Sequence, residues 1–260
     1  MVTTGDLNKH CEPGCTGVTG DKKYYEVGNA FIKRTLRRHE WPTNVPDWWK
    51  PPANLPQRWK TDAAVLVYLR EYTKIPLPRF QFTFEDDGAF YFSTELVPGV
   101  SMVDLTEEQK QVVTEELLEH VATLKTLRSD TPGVPGQTLL CPPYRVHTSF
   151  WKTHSCWQLN PGLKKGDYVF CHNDLGQHNV LVDPDTLKIN AIVDWEYAGF
   201  WPDWFEQPYW KRKGPGAPIG NEEDDKERCR NWLAAHCDEV EMQHPLSFQE
   251  KMEMEMATES

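Results

Sequence analysis

Positive charge is in short supply. The 260 residues hold 28 Lys and Arg against 39 Asp and Glu, a net of −11. That argues against nucleic acid, whose phosphates require a basic face. No stretch approaches the roughly 20 consecutive apolar residues of a membrane span. The opening, Met1-Val2-Thr3-Thr4-Gly5-Asp6, lacks the basic and apolar regions of a secretory signal. Seven cysteines, an odd number scattered along the chain, do not form a disulfide framework, so the expected setting is the reducing cytoplasm. Metal-binding clusters are missing too. His10-Cys11 with Cys15, and His154 with Cys156, do not supply four ligands at zinc-finger spacing. No internal repeat is visible.

What is present suits one domain of two lobes, or two small domains sharing a cleft. Lys23–Val27 and Ala30–Arg34 read as strands joined by a Gly28-Asn29 turn. Residues 41–59 hold five prolines and four tryptophans, which predicts a loop whose rings pack on something. Thr61–Tyr72 has helical periodicity with Val65, Leu66, Leu69 and Tyr72 on one side, ended by Ile75-Pro76-Leu77-Pro78. Phe80–Phe84 and Ala89–Val97 form a second hairpin around Glu85-Asp86-Asp87-Gly88. After Pro98-Gly99, Thr106-Glu107-Glu108-Gln109 opens a long helix with a capping box, its core stripe being Val113, Leu117, Val121 and Leu124. Strands followed by helices predict an α+β fold: a small antiparallel-sheet lobe over residues 1–97 and a mainly helical lobe over 98–260. The last forty residues carry twelve Asp/Glu against four Lys/Arg. They read as a solvated helix face and a frayed tail.

The chemistry concentrates in Tyr168–Val182. An apolar strand runs into His172-Asn173-Asp174, and Asn179 follows five residues after the aspartate. A hairpin turning at Asp183-Pro184-Asp185 then delivers Asp194 in Ile192-Val193-Asp194-Trp195-Glu196. Phosphoryl transfer needs these residue types. Its loose transition state leaves the protein to position groups and neutralise charge. One carboxylate takes or orients the nucleophile's proton; a second carboxylate and an amide oxygen hold Mg²⁺ against the phosphates. A base and a metal-binding Asn five residues apart, with a second metal carboxylate returned by a short hairpin, is the kinase arrangement.

Cys171-His172-Asn173-Asp174 through Asn179, with Asp194-Trp195-Glu196-Tyr197-Ala198-Gly199-Phe200, resembles the fungal branch of the aminoglycoside phosphotransferase-like enzymes, which have a protein-kinase-like fold. Glu95-Leu96-Val97-Pro98-Gly99 is similar to that family's hinge, and Ala63-Ala64-Val65-Leu66 to its first-lobe helix. The resemblance covers roughly residues 22 to 212. It implies ATP and Mg²⁺ as cofactors, Asp174 as catalytic base, and His172 as a brace for the loop. Asn179 and Asp194 would be the metal ligands. Lys33 would meet the ATP phosphates, Asp62 would hold Lys33, and Glu95, Leu96 and Val97 would offer backbone groups to adenine.

Two features depart from the pattern. Asp62 stands where a Glu is usual, one methylene shorter. Cys11–Gly20 has glycines but no readable strand before them, so a short nucleotide roof, or none, is expected. The implied function is transfer of phosphate from ATP to a hydroxyl of a small molecule. Glu196, Asp203 and Glu206 favour a cationic acceptor. The alternative is a pseudokinase, which binds without transferring, or a kinase-fold protein whose cleft serves a role other than phosphotransfer. Trp195, Trp201, Trp204 and Trp210 read as core and cleft wall, not as a base-stacking platform.

Overall fold

The architecture comes from a computed structural model that describes residues 11–43, 45, 50–146, 155–163 and 165–258. Trp48 and Trp49 of the aromatic loop, and His10 and His154 of the weighed metal pairs, lie outside the described residues.

Five strands form one antiparallel sheet in the order β1-β2-β3-β5-β4: β1 Cys15–Val18, β2 Lys22–Val27, β3 Ala30–Thr35, β4 Phe80–Asp86 and β5 Ala89–Glu95. Both hairpins read from the sequence are there. The β2–β3 register pairs Tyr24 with Lys33 and closes on Gly28, whose φ of 62° suits glycine. Strand β1 went unread because Cys-Thr-Gly-Val has no alternating apolar pattern. Pairing with β2 at the sheet edge makes it a strand. The sheet therefore has a short strand β1 over the stretch where none was expected.

Helix α1 (Leu55–Tyr72) begins six residues before the predicted start. Residues 41–59 are therefore a loop only in part. Pro56 lies in the first turn, where a helix needs no N–H, so proline does not stop it there. Leu55, Trp59, Leu66 and Leu69 are buried, and Trp59 leans against Phe90 and Phe92 of the sheet.

The chain leaves the sheet through Glu95–Gly99. Gly99 has φ 131°, and a β-carbon there would stand 2.7 Å from the Val182 carbonyl oxygen, so only glycine fits. Helix α2 (Glu107–Thr126) starts with the predicted capping box, Gln109 N–H donating to Thr106 Oγ1 and Thr106 N–H to Gln109 Oε1. Its stripe Val113, Leu117, Val121 and Leu124 is buried.

Alongside the helices, three small antiparallel sheets build the rest. Strand β10 (Tyr168–Cys171) lies between β7 (Arg128–Ser129) and β13 (Gly199–Trp201). Strand β11 (Val180–Val182) lies between β6 (Val100–Ser101) and β12 (Ile189–Ile192). Strand β9 (Ser155–Leu159) lies between β8 (Leu139–Leu140) and β14 (Cys237–Glu241). One hydrophobic cluster runs from Trp59 and Phe92 through Leu117 to Phe170 and Trp195, so both halves share a core.

The acidic end is less frayed than its charge suggests. Asp225 is buried against Arg145, just before helix α3 (Lys226–His236). Helix α4 (Phe248–Thr258) returns to the first lobe, Lys251 meeting Glu85 of β4 at 3.1 Å and Glu250 meeting Arg38, just past β3, at 2.6 Å. Trp195, Trp201 and Trp210 are core. All seven cysteines are free thiols. Among the described residues no group of three or more His, Cys, Asp or Glu could hold a metal by itself, and no helix is long and apolar enough to cross a membrane.

Candidate active site

The cleft between the five-stranded sheet and the 172–179 loop has a volume of about 560 Å³ and is lined by Tyr24, Phe31, Lys33, Asp62, Glu95–Gly99, His178, Asn179 and Asp194. That is an ordinary size for a cofactor or small-molecule site. Of the nine candidate site residues, seven line it; His172 and Asp174 lie just beneath.

Lys33 reaches this cleft because β3 alternates its faces, setting Lys33 inward. Its ammonium donates to Asp194 Oδ1 and lies 3.8 Å from Asp62 Oδ2. Burial alone would discharge such a lysine, but Asp194 and Asp62 outweigh that and hold it firmly protonated. The shorter Asp62 arm therefore still reaches, at ion-pair distance. Asp62 is pushed up to about 7 by burial, against the pull of Lys33, and its carboxylate accepts the Trp195 amide. Burial pulls Asp194 upward too, but Lys33 wins and holds it below the usual carboxylate range. Asp194 has φ 63°, a left-handed turn that swings its carboxylate back toward Lys33.

His172 is fully buried and braces the loop. Its Nε2 bonds the Val193 carbonyl at 3.0 Å, while Nδ1 faces the Asp174 amide at 3.3 Å. Nε2 is then the protonated nitrogen. Burial pushes the ring down to about 4, so it stays neutral and ties the 172–179 loop to Val193, just before Asp194. Asn179 is held by Nδ2 donating to the Asp174 carbonyl at 2.8 Å, which leaves its Oδ1 as the atom able to meet a metal. Asp194 and Asn179 together offer hard oxygen donors of the kind Mg²⁺ takes. Two ligands fit a site completed by phosphate and water.

Asp174 is nearly buried, and its Oδ1 has no hydrogen-bond partner. Burial, then the charges of Asp194 and Glu196, raise it to about 8. A carboxyl tuned into this range is suited to moving a proton near neutrality.

The hinge is partly engaged. The amides of Glu95 and Leu96 donate to Arg79 O at 2.8 Å and Asn29 O at 2.7 Å. Among the described residues the Val97 amide has no such bond, so of these three cleft-lining residues it is the one whose backbone donor is left uncommitted.

Several site residues escaped the sequence reading. Arg58 pairs with Glu196 inside the protein and lies 4.7 Å over the Tyr197 ring. It stands one turn before Asp62 on the same helix, a spacing that would have flagged it had the helix been read from residue 55. Arg145 holds Asp225 at 2.8 Å, the Asn173 carbonyl at 2.8 Å and the Phe205 carbonyl at 2.6 Å. Gly216 lies against Asp174, and its amide donates to the Tyr144 hydroxyl. No local pattern marks Arg145 or Gly216. Glu206 accepts the amides of His172 and Asn173, and Glu196 answers Arg58, so two of the three acidic residues expected near an acceptor are engaged within the protein.

Residues 49–205 match the sequence model of the phosphotransferase enzyme family. The chain belongs to that family, with its protein-kinase-like fold. Over 138 residues it is 29% identical to an aminoglycoside 3'-phosphotransferase of Streptomyces fradiae, covering 46% of this chain and 52% of that one. The chain thus spans about half the length of the curated relative it matches. Among solved structures, the aminoglycoside phosphotransferase APH(3'')-Id of Streptomyces rimosus aligns over 82% of each chain at 15% identity and TM-score 0.48. A type VIII aminoglycoside-3'-phosphotransferase aligns over 76% of this chain and 78% of its own at 17% identity and TM-score 0.46. APH(4)-Ia, crystallised with ADP and hygromycin B, aligns over 74% and 68% at 15% identity and TM-score 0.45.

Proposed function

We propose that this protein transfers the γ-phosphoryl group of ATP to a hydroxyl of a small molecule. The observation that carries the reading is the convergence of Lys33, Asp194 and Asn179 on one cleft from separate stretches of chain, with Asp174 held against Asn179 just beneath it. Residues 1–97 would form the nucleotide lobe and residues 98–260 the lobe carrying the catalytic loop.

In this reading Val97 meets adenine and Lys33 the phosphates. Asp194 and Asn179 would hold Mg²⁺, which when bound neutralises charge developing on the phosphates. Asp174 orients the acceptor hydroxyl and takes its proton. Lys33 already neutralises Asp194, so a phosphate entering the cleft would exchange one partner of that lysine for another. The acceptor class suggested by the relatives' names is a small amino-sugar alcohol; a neutral polyol is also compatible with Glu196 and Glu206 being engaged internally.

The pseudokinase reading draws on one observation, the three-residue turn between β1 and β2 where a kinase has a longer glycine-rich loop. The intact set of Lys33, Asp174, Asn179 and Asp194 weighs against it. Radiolabelled ATP-Mg incubated with the whole chain and a panel of amino-sugar and polyol alcohols decides between the two. Label appearing in an acceptor, and lost in Asp174→Asn, supports transfer; nucleotide binding with no label moved to any acceptor or to water supports the pseudokinase.

A further inference from the structure

The β1–β2 turn is the place where a kinase cradles phosphate with backbone amides. Here it has only Thr19, Gly20 and Asp21, and the Thr19 amide and hydroxyl are already engaged within it. The Thr19 amide donates to the Lys22 carbonyl at 2.8 Å, and the Lys22 amide donates to Thr19 Oγ1 at 3.2 Å. Thr19 Oγ1 itself lies 2.5 Å from Asp21 Oδ1. A turn this short leaves at most the Gly20 and Asp21 amides for an anion, fewer than a glycine-rich loop offers.

A side chain stands where the cradle is missing. Strand β2 puts Tyr24 and Glu26 on the cleft wall, so Lys22, two residues before Tyr24, belongs to the same face. Its ammonium lies 5.9 Å from the centre of the Tyr24 ring. The register pairs Lys22 with Thr35 and Tyr24 with Lys33, which sets the two lysines on neighbouring rungs of one face. Among the described residues no carboxylate is within 4 Å of the Lys22 ammonium, whereas Lys33 is held by two.

We infer that Lys22 is a phosphate-binding residue, a cation that holds the terminal phosphates of the nucleotide from above in place of a backbone cradle. The inference rests on the nucleotide reading proposed above. It also gives the two lysines separate tasks: Lys33 is anchored by Asp62 and Asp194 from below, and Lys22 closes over the phosphates from the turn.

Calorimetric titration of the whole chain with adenosine, ADP-Mg and ATP-Mg tests it, using wild type, Lys22→Met and Lys22→Arg, with thermal midpoints as the check on folding. A charge-assisted contact predicts a loss of ~10- to 100-fold in ATP-Mg affinity for Lys22→Met. The loss should be smaller for ADP-Mg and absent for adenosine, and Lys22→Arg should recover most of it. Unchanged ATP-Mg affinity in Lys22→Met, or an equal loss for adenosine, overturns the role of Lys22 while leaving the kinase reading standing. Failure of wild type to bind any of the three removes the nucleotide reading itself, and Lys22's role with it.

Discussion

A β-carbon placed on Gly216 would stand 1.9 Å from Asp174 Oδ1, closer than any two such atoms can approach. The segment that does this is stapled by Arg212, which pairs with Glu222 and donates to the carbonyls of Pro215 at 2.9 Å and Ala217 at 2.7 Å. The carboxylate best placed to act as a base is therefore roofed by a glycine about forty residues away in sequence. The Gly216→Ala variant should lower the thermal midpoint by an amount corresponding to about 1–3 kcal/mol of overpacking. It should also depress turnover more than it changes ATP affinity, because the displaced group is Asp174 and not the nucleotide wall. Steady-state kinetics and a thermal scan on the same sample check both.

Asp174→Asn and Asp194→Asn separate chemistry from binding. The first keeps shape and removes the proton-accepting charge, so turnover should fall by roughly 10²–10⁴-fold with ATP-Mg affinity nearly intact. The second removes a metal charge and leaves Lys33 with only Asp62, so ATP-Mg affinity should fall as well. Full activity in Asp174→Asn toward a verified acceptor would end the mechanism.

Asp174 and Asp62 are raised by burial to about 8 and about 7, far above an unfolded carboxyl. The folded state then holds those protons more tightly than the unfolded chain does. Their contribution to stability is complete below about pH 4 and is lost as pH rises through 7 to 8. Activity runs the other way, since the base must be ionised. The nucleotide-free protein should lose thermal stability between about pH 4 and pH 8, the window between the unfolded and folded titrations of these two groups. Asp174→Asn should flatten the upper part of that decline. A midpoint that rises across this window in wild type contradicts the assignment.

Removing Arg58 would leave Glu196 buried without its partner. Arg58→Ala should cost about 3–5 kcal/mol, while the double variant Arg58→Met with Glu196→Gln should cost markedly less, since no uncompensated charge remains. Denaturant unfolding of the two variants measures the difference. Equal costs would mean that packing against Tyr197, and not charge, is what Arg58 supplies.

With two oxygen ligands from the chain, Mg²⁺ alone should shift the thermal midpoint little, and Mg²⁺ with ATP a great deal. Thermal scans with metal, nucleotide and both together check this. A shift from metal alone as large as that from the pair would place a metal site elsewhere.

Local signals carried much of the fold. The hairpins around Gly28 and Gly88, the capping box at Thr106 and the apolar stripe of the following helix follow from periodicity and turn chemistry, which act between neighbours in sequence. So does the order of Asp174, Asn179 and Asp194, because a strand, a five-residue spacing and a hairpin suffice to return one carboxylate to another. Strand β1 and the first turn of α1 were not legible. The first is a strand only because β2 pairs with it; the second has prolines that forbid a helix interior yet are harmless at a helix start. Tertiary structure alone decided which charges answer which. Arg58 with Glu196, Arg145 with Asp225 and Gly216 over Asp174 join residues 42 to 138 positions apart, and no periodicity records a contact made by folding. The sequence by itself determined which groups could perform phosphoryl transfer; burial, which raises Asp174 and Asp62 and keeps His172 neutral, exists only once the chain has closed around them.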